Sequence, residues 1–264
     1  MGTSTSSKGP GKNVSYDPPW LEDIDVPGQD TQDTPPAQAI GIAIKGRFAY
    51  ARRRMGEYVR SGSRDAVKQA LGHYSKTGMG GAQNVARRMR ISTRTATNLF
   101  NTLRSLRDDT HFDLGRELAN LKNRGADAAE VINAIVDHIC PSGGSVDEAS
   151  CRNSGTVALS VFLDTNPDAD FCNLTDDQIW SLTAIYLGNE VFSRVQMDIG
   201  QAFENQDVPI IERVSRLNDL QEFIQSEVST QLDELRNATN QIEDLNQFLQ
   251  DIIRYTFEVF EGEI

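Results

Sequence analysis

The sequence predicts an all-α fold: a helical bundle-like body, preceded by a disordered Pro/Gly/Ser-rich tail and ending in a long amphipathic helical region. Three observations carry this. Six of the nine prolines crowd into residues 1–37, a stretch that buries too little apolar surface to offset its ordering entropy. From Gln38 onward, apolar residues recur three and four positions apart, the spacing of one helix face. Further on, Ser145-Val-Asp-Glu148 and Thr175-Asp-Asp-Gln178 are capping boxes, in which a hydroxyl and a Glu or Gln three residues later satisfy each other's free backbone N–H groups.

Within the tail, Pro18-Pro19-Trp20-Leu21 is followed by Glu22, Asp23 and Asp25. Trp20 and Leu21 read as a partner-recognition anchor, since Trp buries a large area at low rotamer cost; folding of Trp20 back onto its own domain is the equal alternative. Residues 38–107 form a basic helical segment. Ile40, Ile44, Phe48 and Ala51/Met55 make an apolar stripe opposite Arg52, Arg53 and Arg54. Ser63 caps a short helix holding Ala66, Val67, Ala70 and Leu71 that ends near Gly72. After Gly78-Met79-Gly80-Gly81 a further helix carries Val85 and Met89, and Ser92 opens another over Thr93–Leu106.

Residues 108–264 form an acidic helical body. Val131, Ile132, Ile135, Val136 and Ile139 define a helix over Asp127–Cys140, stopped by Pro141. The second capping box opens a helix through Ile179, Leu182, Ile185 and Tyr186, whereas the apolar run Val157–Leu163 has no assignable period. From Pro209, residues Ile224, Val228, Leu235, Ile242, Leu245, Leu249 and Ile252 fall on heptad a/d positions, with Gln231 and Ala238 as weak steps. Such a stripe serves a coiled-coil partner or packing within one bundle. The imperfect seam favours the second.

The formal net charge of −12 over 264 residues averages three unlike segments. Residues 1–37 carry −4, residues 38–107 carry +13, with only Glu57 and Asp65 against fifteen Lys/Arg, and residues 108–264 carry −21. The total therefore excludes no polyanion partner. Arg52, Arg53, Arg54, Arg87, Arg88 and Arg90 are candidate polyanion contacts, with Asn84, Thr93 and Arg94 beside them. Packing of the basic segment on the acidic half or a sister subunit, or an acidic protein partner, explains the same charge.

Catalytic signatures are thin. None of His73, His111 and His138 sits beside a nucleophile in a local motif, and His73 reads as a helix-end residue facing a helix C-terminal dipole. Gly78-Met79-Gly80-Gly81 lacks the Lys-Ser/Thr of a phosphate loop. The pairs Asp108/Asp109 and Asp176/Asp177 are unsurprising in a half with thirty acids. No catalytic residue and no metal site is expected: Cys140, Cys151 and Cys172 are separated by ten and twenty residues, unlike a zinc knuckle. Three cysteines without a CxxC pair fit a reducing cytoplasm. Neither an apolar leader nor a run of about eighteen apolar residues occurs.

The start Met1-Gly2-Thr3-Ser4 has its own chemistry. Removal of Met1 exposes the Gly2 α-amine, whose ordinary pKa of about 7.7–8.0 leaves roughly a tenth or more neutral and nucleophilic at pH 7. With no Cβ to hinder approach, that amine ends a flexible stretch spanning on the order of 30–35 Å. Met-Gly-x-x-x-Ser, with Gly2 and Ser6, formally matches N-myristoylation. From spacing alone, an unmodified start is the simpler reading.

Three blocks together resemble the QatB family of the bacterial Qat anti-phage system. They are Met-Gly-Thr-Ser-Thr-Ser-Ser-Lys-Gly-Pro (1–10) with Pro-Pro-Trp-Leu (18–21), Ser-Gly-Ser-Arg-Asp-Ala (61–66) with Leu-Gly-His-Tyr-Ser (71–75), and Gly-Gly-Ala-Gln-Asn-Val-Ala-Arg-Arg-Met (80–89). The acidic half is similar only in general helical character. The resemblance implies a non-enzymatic component working with an ATPase (QatA), a QueC-like enzyme (QatC) and a TatD-like nuclease (QatD). It further implies that the QueC-like partner, which holds the ATP and zinc, joins a 7-deazaguanine carboxylate to an N-terminal glycine amine. The acceptor here would be Gly2, with Thr3 and Ser4 as adjacent recognition residues. A nucleic-acid-binding adaptor using the basic segment is the alternative.

Overall fold

The computed structural model describes residues 46–140, 143–204, 207–239, 241–262 and 264. Among them are ten α-helices and no strand: α1 (Ala49–Ser61), α2 (Arg64–His73), α3 (Ala82–Arg88), α4 (Arg90–Arg107), α5 (Phe112–Asn123), α6 (Ala128–Ile139), α7 (Val146–Thr165), α8 (Asp176–Ile199), α9 (Ile210–Ala238) and α10 (Leu245–Glu261). The all-α expectation is met. Side chains of Ser63, Asp127, Ser145, Thr175 and Asp244 each accept the backbone N–H three residues on, and Asp127, Ser145 and Thr175 complete reciprocal capping boxes. Each such cap is worth about 1 kcal/mol.

α8 carries buried residues on every face, among them Ile179, Leu182, Tyr186, Leu187, Val191, Val195 and Ile199, the signature of a helix enclosed by its neighbours. It packs against α4, α7 and α9. α10 sinks Phe248, Leu249, Ile252, Ile253, Phe257 and Phe260 against α2, α3, α4 and α9. Phe48, Tyr74, Phe257 and Phe260 form an aromatic chain with centroid steps of 5.3, 5.7 and 5.6 Å. Helices of the basic and acidic segments thus share one core, and residues 48–264 form one compact unit.

Several expectations change. The α-helix from Ser63 ends beside Gly72 as expected, but the chain does not leave the helical path there. It runs to His73 and continues as a π-helical turn over Tyr74–Met79, closed by Gly80 at φ +80°. Gly72 is kept by packing: a Cβ there would lie 2.5 Å from the Phe260 carbonyl oxygen, and one at Gly78 would lie 2.4 Å from the Phe48 ring. Ser92 does not open a helix. Met89 donates back to Val85 and Ala86, so α3 and α4 nearly run together and Ser92 lies buried within α4. Val157–Leu163 is helical, inside α7, and α5 is an element the sequence reading did not assign.

The C-terminal stripe splits between α9 and α10. Ile224, Val228, Leu249 and Ile252 are buried, Leu235, Ile242 and Leu245 partly so, within the one core, which bears out packing inside the chain. Gln231, a weak step in the heptads, is buried and hydrogen-bonded to Glu227 at 3.1 Å. No described helix is long and apolar enough to cross a membrane. Ile40, Ile44 and the tail residues lie outside the described residues.

Candidate functional site

Along α8, Tyr186, Glu190, Arg194 and Asp198 stand four residues apart, a polar stripe in an otherwise apolar helix. Residues four apart share one helix face, and this face meets α4 and α7. Glu190 is buried. It accepts from the hydroxyls of Ser92 at 2.5 Å and Ser150 at 2.9 Å, and from the Cys151 thiol at 3.5 Å. One turn on, Arg194 donates to Asp147, which Arg88 approaches at 2.6 Å from the other side. A further turn on, Asp198 accepts from the Tyr74 hydroxyl at 2.9 Å, and its backbone carbonyl accepts from Arg52 at 2.9 Å. The result is a polar seam linking α1, the π turn, α3, α4 and α7 through α8. Nearby, the Ser75 hydroxyl donates to Glu261 at 2.5 Å, tying the same turn to α10.

The electrostatics follow from burial. Burial pushes the Asp147 carboxyl up, but Arg88 and Arg194 outweigh it and hold the group below its ordinary value. Burial opposes the charge on Arg194, and Asp147 with Asp198 overrides that. Burial, then Glu190, raises the Cys151 thiol to about 12, and burial raises Cys140 to about 11; both stay protonated at neutral pH. Tyr186, fully buried, is raised well above 10 by burial and by Glu190. At its edge, His73 is pushed down by burial, Arg54 and Lys76, so it sits there as a neutral ring.

The six arginines singled out in the sequence divide. Arg52 and Arg88 enter the seam one helical turn apart, at Asp198 and at the Asp147–Arg194 pair, Arg52 also lying 5.9 Å over the Phe48 ring. Arg53 and Arg54 share Glu57, at 3.6 and 2.6 Å, and the Arg54 hydrogen bond holds that carboxyl below its ordinary value. Arg87 and Arg90 are exposed, as is Arg94 one turn beyond Arg90. Arg87 and Arg94 make no ion pair among the described residues. Gly2, Thr3, Ser4, Trp20 and Leu21 lie outside the described residues.

Two further features escaped the sequence reading. The first is the seam itself, whose signal was the four-residue spacing Tyr186/Glu190/Arg194/Asp198. The second is a histidine pair: His111, at the N-cap of α5, and His138, in the last turn of α6, bring their Nε2 atoms within 2.7 Å. Nothing in the local sequence of either histidine points to the other. No group of three or more His, Cys, Asp or Glu arranged to hold a metal ion occurs among the described residues.

Compared with known proteins, residues 80–260, about two thirds of the chain, match the sequence model of a family described as "Qat anti-phage system associated protein QatB". That range overlaps the blocks quoted above only at residues 80–89 and extends the likeness across the acidic half. No curated protein and no solved structure matches the chain.

Proposed function

We infer the function from one premise: the chain belongs to the QatB family and is a component of the Qat anti-phage system. The role we propose is that of a non-enzymatic scaffold and protein substrate in the cytoplasm. After removal of Met1, the Gly2 amine attacks the carboxylate of a 7-deazaguanine that a QueC-like partner (QatC) has activated with ATP. The carbon–nitrogen bond forms, the activating group leaves, and the amine gives up a proton, so a deazaguanine amide remains on Gly2. Thr3 and Ser4 would flank the amine in the partner's cleft, with Trp20 and Leu21 as the docking anchor. The ATPase QatA and the nuclease QatD are the further partners this reading names.

The observation that carries it is the start Met1-Gly2-Thr3-Ser4 ahead of a Pro/Gly/Ser-rich stretch, in a chain of this family. Intact-mass spectrometry after co-expression with the QueC-like partner tests it. The expected result is a mass increase of one deazaguanine acyl group, localised to Gly2 and absent without the partner. An unmodified Gly2, or the same increase in Gly2→Ala, overturns it.

A second reading, a nucleic-acid-binding adaptor, has one observation in its favour: Arg87 and Arg94 are exposed without an ion-pair partner among the described residues. Phosphate contacts release counterions, so binding must weaken steeply with salt. Triple neutralisation of Arg87, Arg90 and Arg94 should weaken DNA binding and reduce the salt slope by up to about three. Absence of binding at low salt rejects this reading.

A further inference from the structure

We propose that His111 and His138 form a two-imidazole site for a divalent transition-metal ion on the surface of the α5–α6 pair. Their Nε2 atoms face each other at 2.7 Å, with the rings nearly perpendicular and centroids 4.3 Å apart. A hydrogen bond at that distance requires one ring to donate and the other to offer its lone pair, the roles being set by the tautomers. His138 is exposed and His111 half-buried, so each ring could bond water instead. A hydrogen bond exchanged with water contributes only about 1 kcal/mol net, which is a weak reason to hold two rings in register.

A metal ion uses the same convergence. Zinc–imidazole bonds of about 2.0–2.1 Å at a tetrahedral angle place two nitrogens about 3.3 Å apart. The rings therefore need to part by about 0.6 Å, and the donating ring must pass its Nε2 proton through solvent to its own Nδ1, so that both Nε2 lone pairs meet the ion. The surrounding charge is mixed. The end of α6 at His138 favours a cation, whereas the start of α5 at His111 opposes one. Asp113, in the first turn of α5, and Glu117, which acts on His138, offset that opposition. Asp137, beside His138, is occupied by Arg152. Two protein ligands leave the remaining coordination positions to water. Imidazole donors select Zn2+, Ni2+ and Cu2+ over the oxygen-seeking Mg2+ and Ca2+.

The test is calorimetric titration of Zn2+ into the full chain, made without a polyhistidine tag and stripped with chelator, in excess Mg2+ to occupy carboxylate sites. One saturable equivalent is expected, with binding weakened at least tenfold in both His111→Ala and His138→Ala, and with Ni2+ and Cu2+ binding more tightly than Zn2+. Shifts of the His111 and His138 ring resonances on adding Zn2+ should report coordination directly. Both side chains are at the surface, and circular dichroism verifies that each variant is folded. The proposal is overturned if no saturable binding survives Mg2+, or if both variants bind as the parent does. The metal is supplied alone, so this outcome is independent of the state of Gly2.

Discussion

The polar seam along α8 and the outer surface of α1, α3 and α4 both take arginines from the runs 52–54 and 87–94, the seam adding Arg194 of α8, yet hold them in different states. Arg88 and Arg194 close on Asp147 in a largely desolvated site, while Arg87, next to Arg88 in the chain, faces solvent. Inside, charge fixes helix positions, because a buried charge without its partner is costly. Outside, it is held loosely and is open to a partner. The count of +13 for the basic segment therefore overstates what a polyanion would meet. Part of it is neutralised across the core by the acidic half.

The largest break in this contrast is Asp147→Ala, which leaves the buried Arg194 without its hydrogen-bonded partner and with only Asp198 acting on its charge. Losing one partner of a buried pair costs about 3–5 kcal/mol, measurable as a fall in urea midpoint. Next is Ser92→Ala, which removes a donor from the buried Glu190 carboxylate at a cost of about 1–3 kcal/mol, by the same measurement. A pH series sharpens the seam's side. Because the folded Asp147 carboxyl lies below its ordinary 3.8, its contribution is fully present above that value and is lost as pH falls through the folded pKa. Relative to the parent, Asp147→Asn should show a shallower loss of stability between about pH 5 and the acid end of the range. The smallest effect belongs to the surface: Arg87→Ala should stay within about 0.5 kcal/mol of the parent. Were Arg87→Ala as damaging as Asp147→Ala, the distinction between the two regions would collapse.

What was legible in the sequence was local. The capping boxes at Ser145 and Thr175 state both ends of a short-range exchange, and the structure places them as read. The apolar stripe through Ala51 and Met55 is buried as its spacing implies. What failed was long-range. Ser92 resembles an N-cap by type, but its hydroxyl is taken by Glu190, 98 residues away. Arg88 resembles a phosphate contact, but its partner Asp147 lies 59 residues on. The heptads could not announce the interruption between α9 and α10, although Asp244 three residues before Gln247 was a readable cap. The π turn at Tyr74–Met79 packs closely at Gly78, where a Cβ would meet the Phe48 ring, a tertiary contact with no local signature.

The position of α10 sets an order of events for synthesis. α10, the last helix among the described residues, packs against α2 and α3, whose Val67, Leu71 and Val85 are buried. A ribosome delivers those early helices with their apolar sides bare, and contacts spanning most of the chain form late. The described core therefore closes only after α10 has emerged, and a chain terminated before Leu245 lacks the residues that pack on α2 and α3.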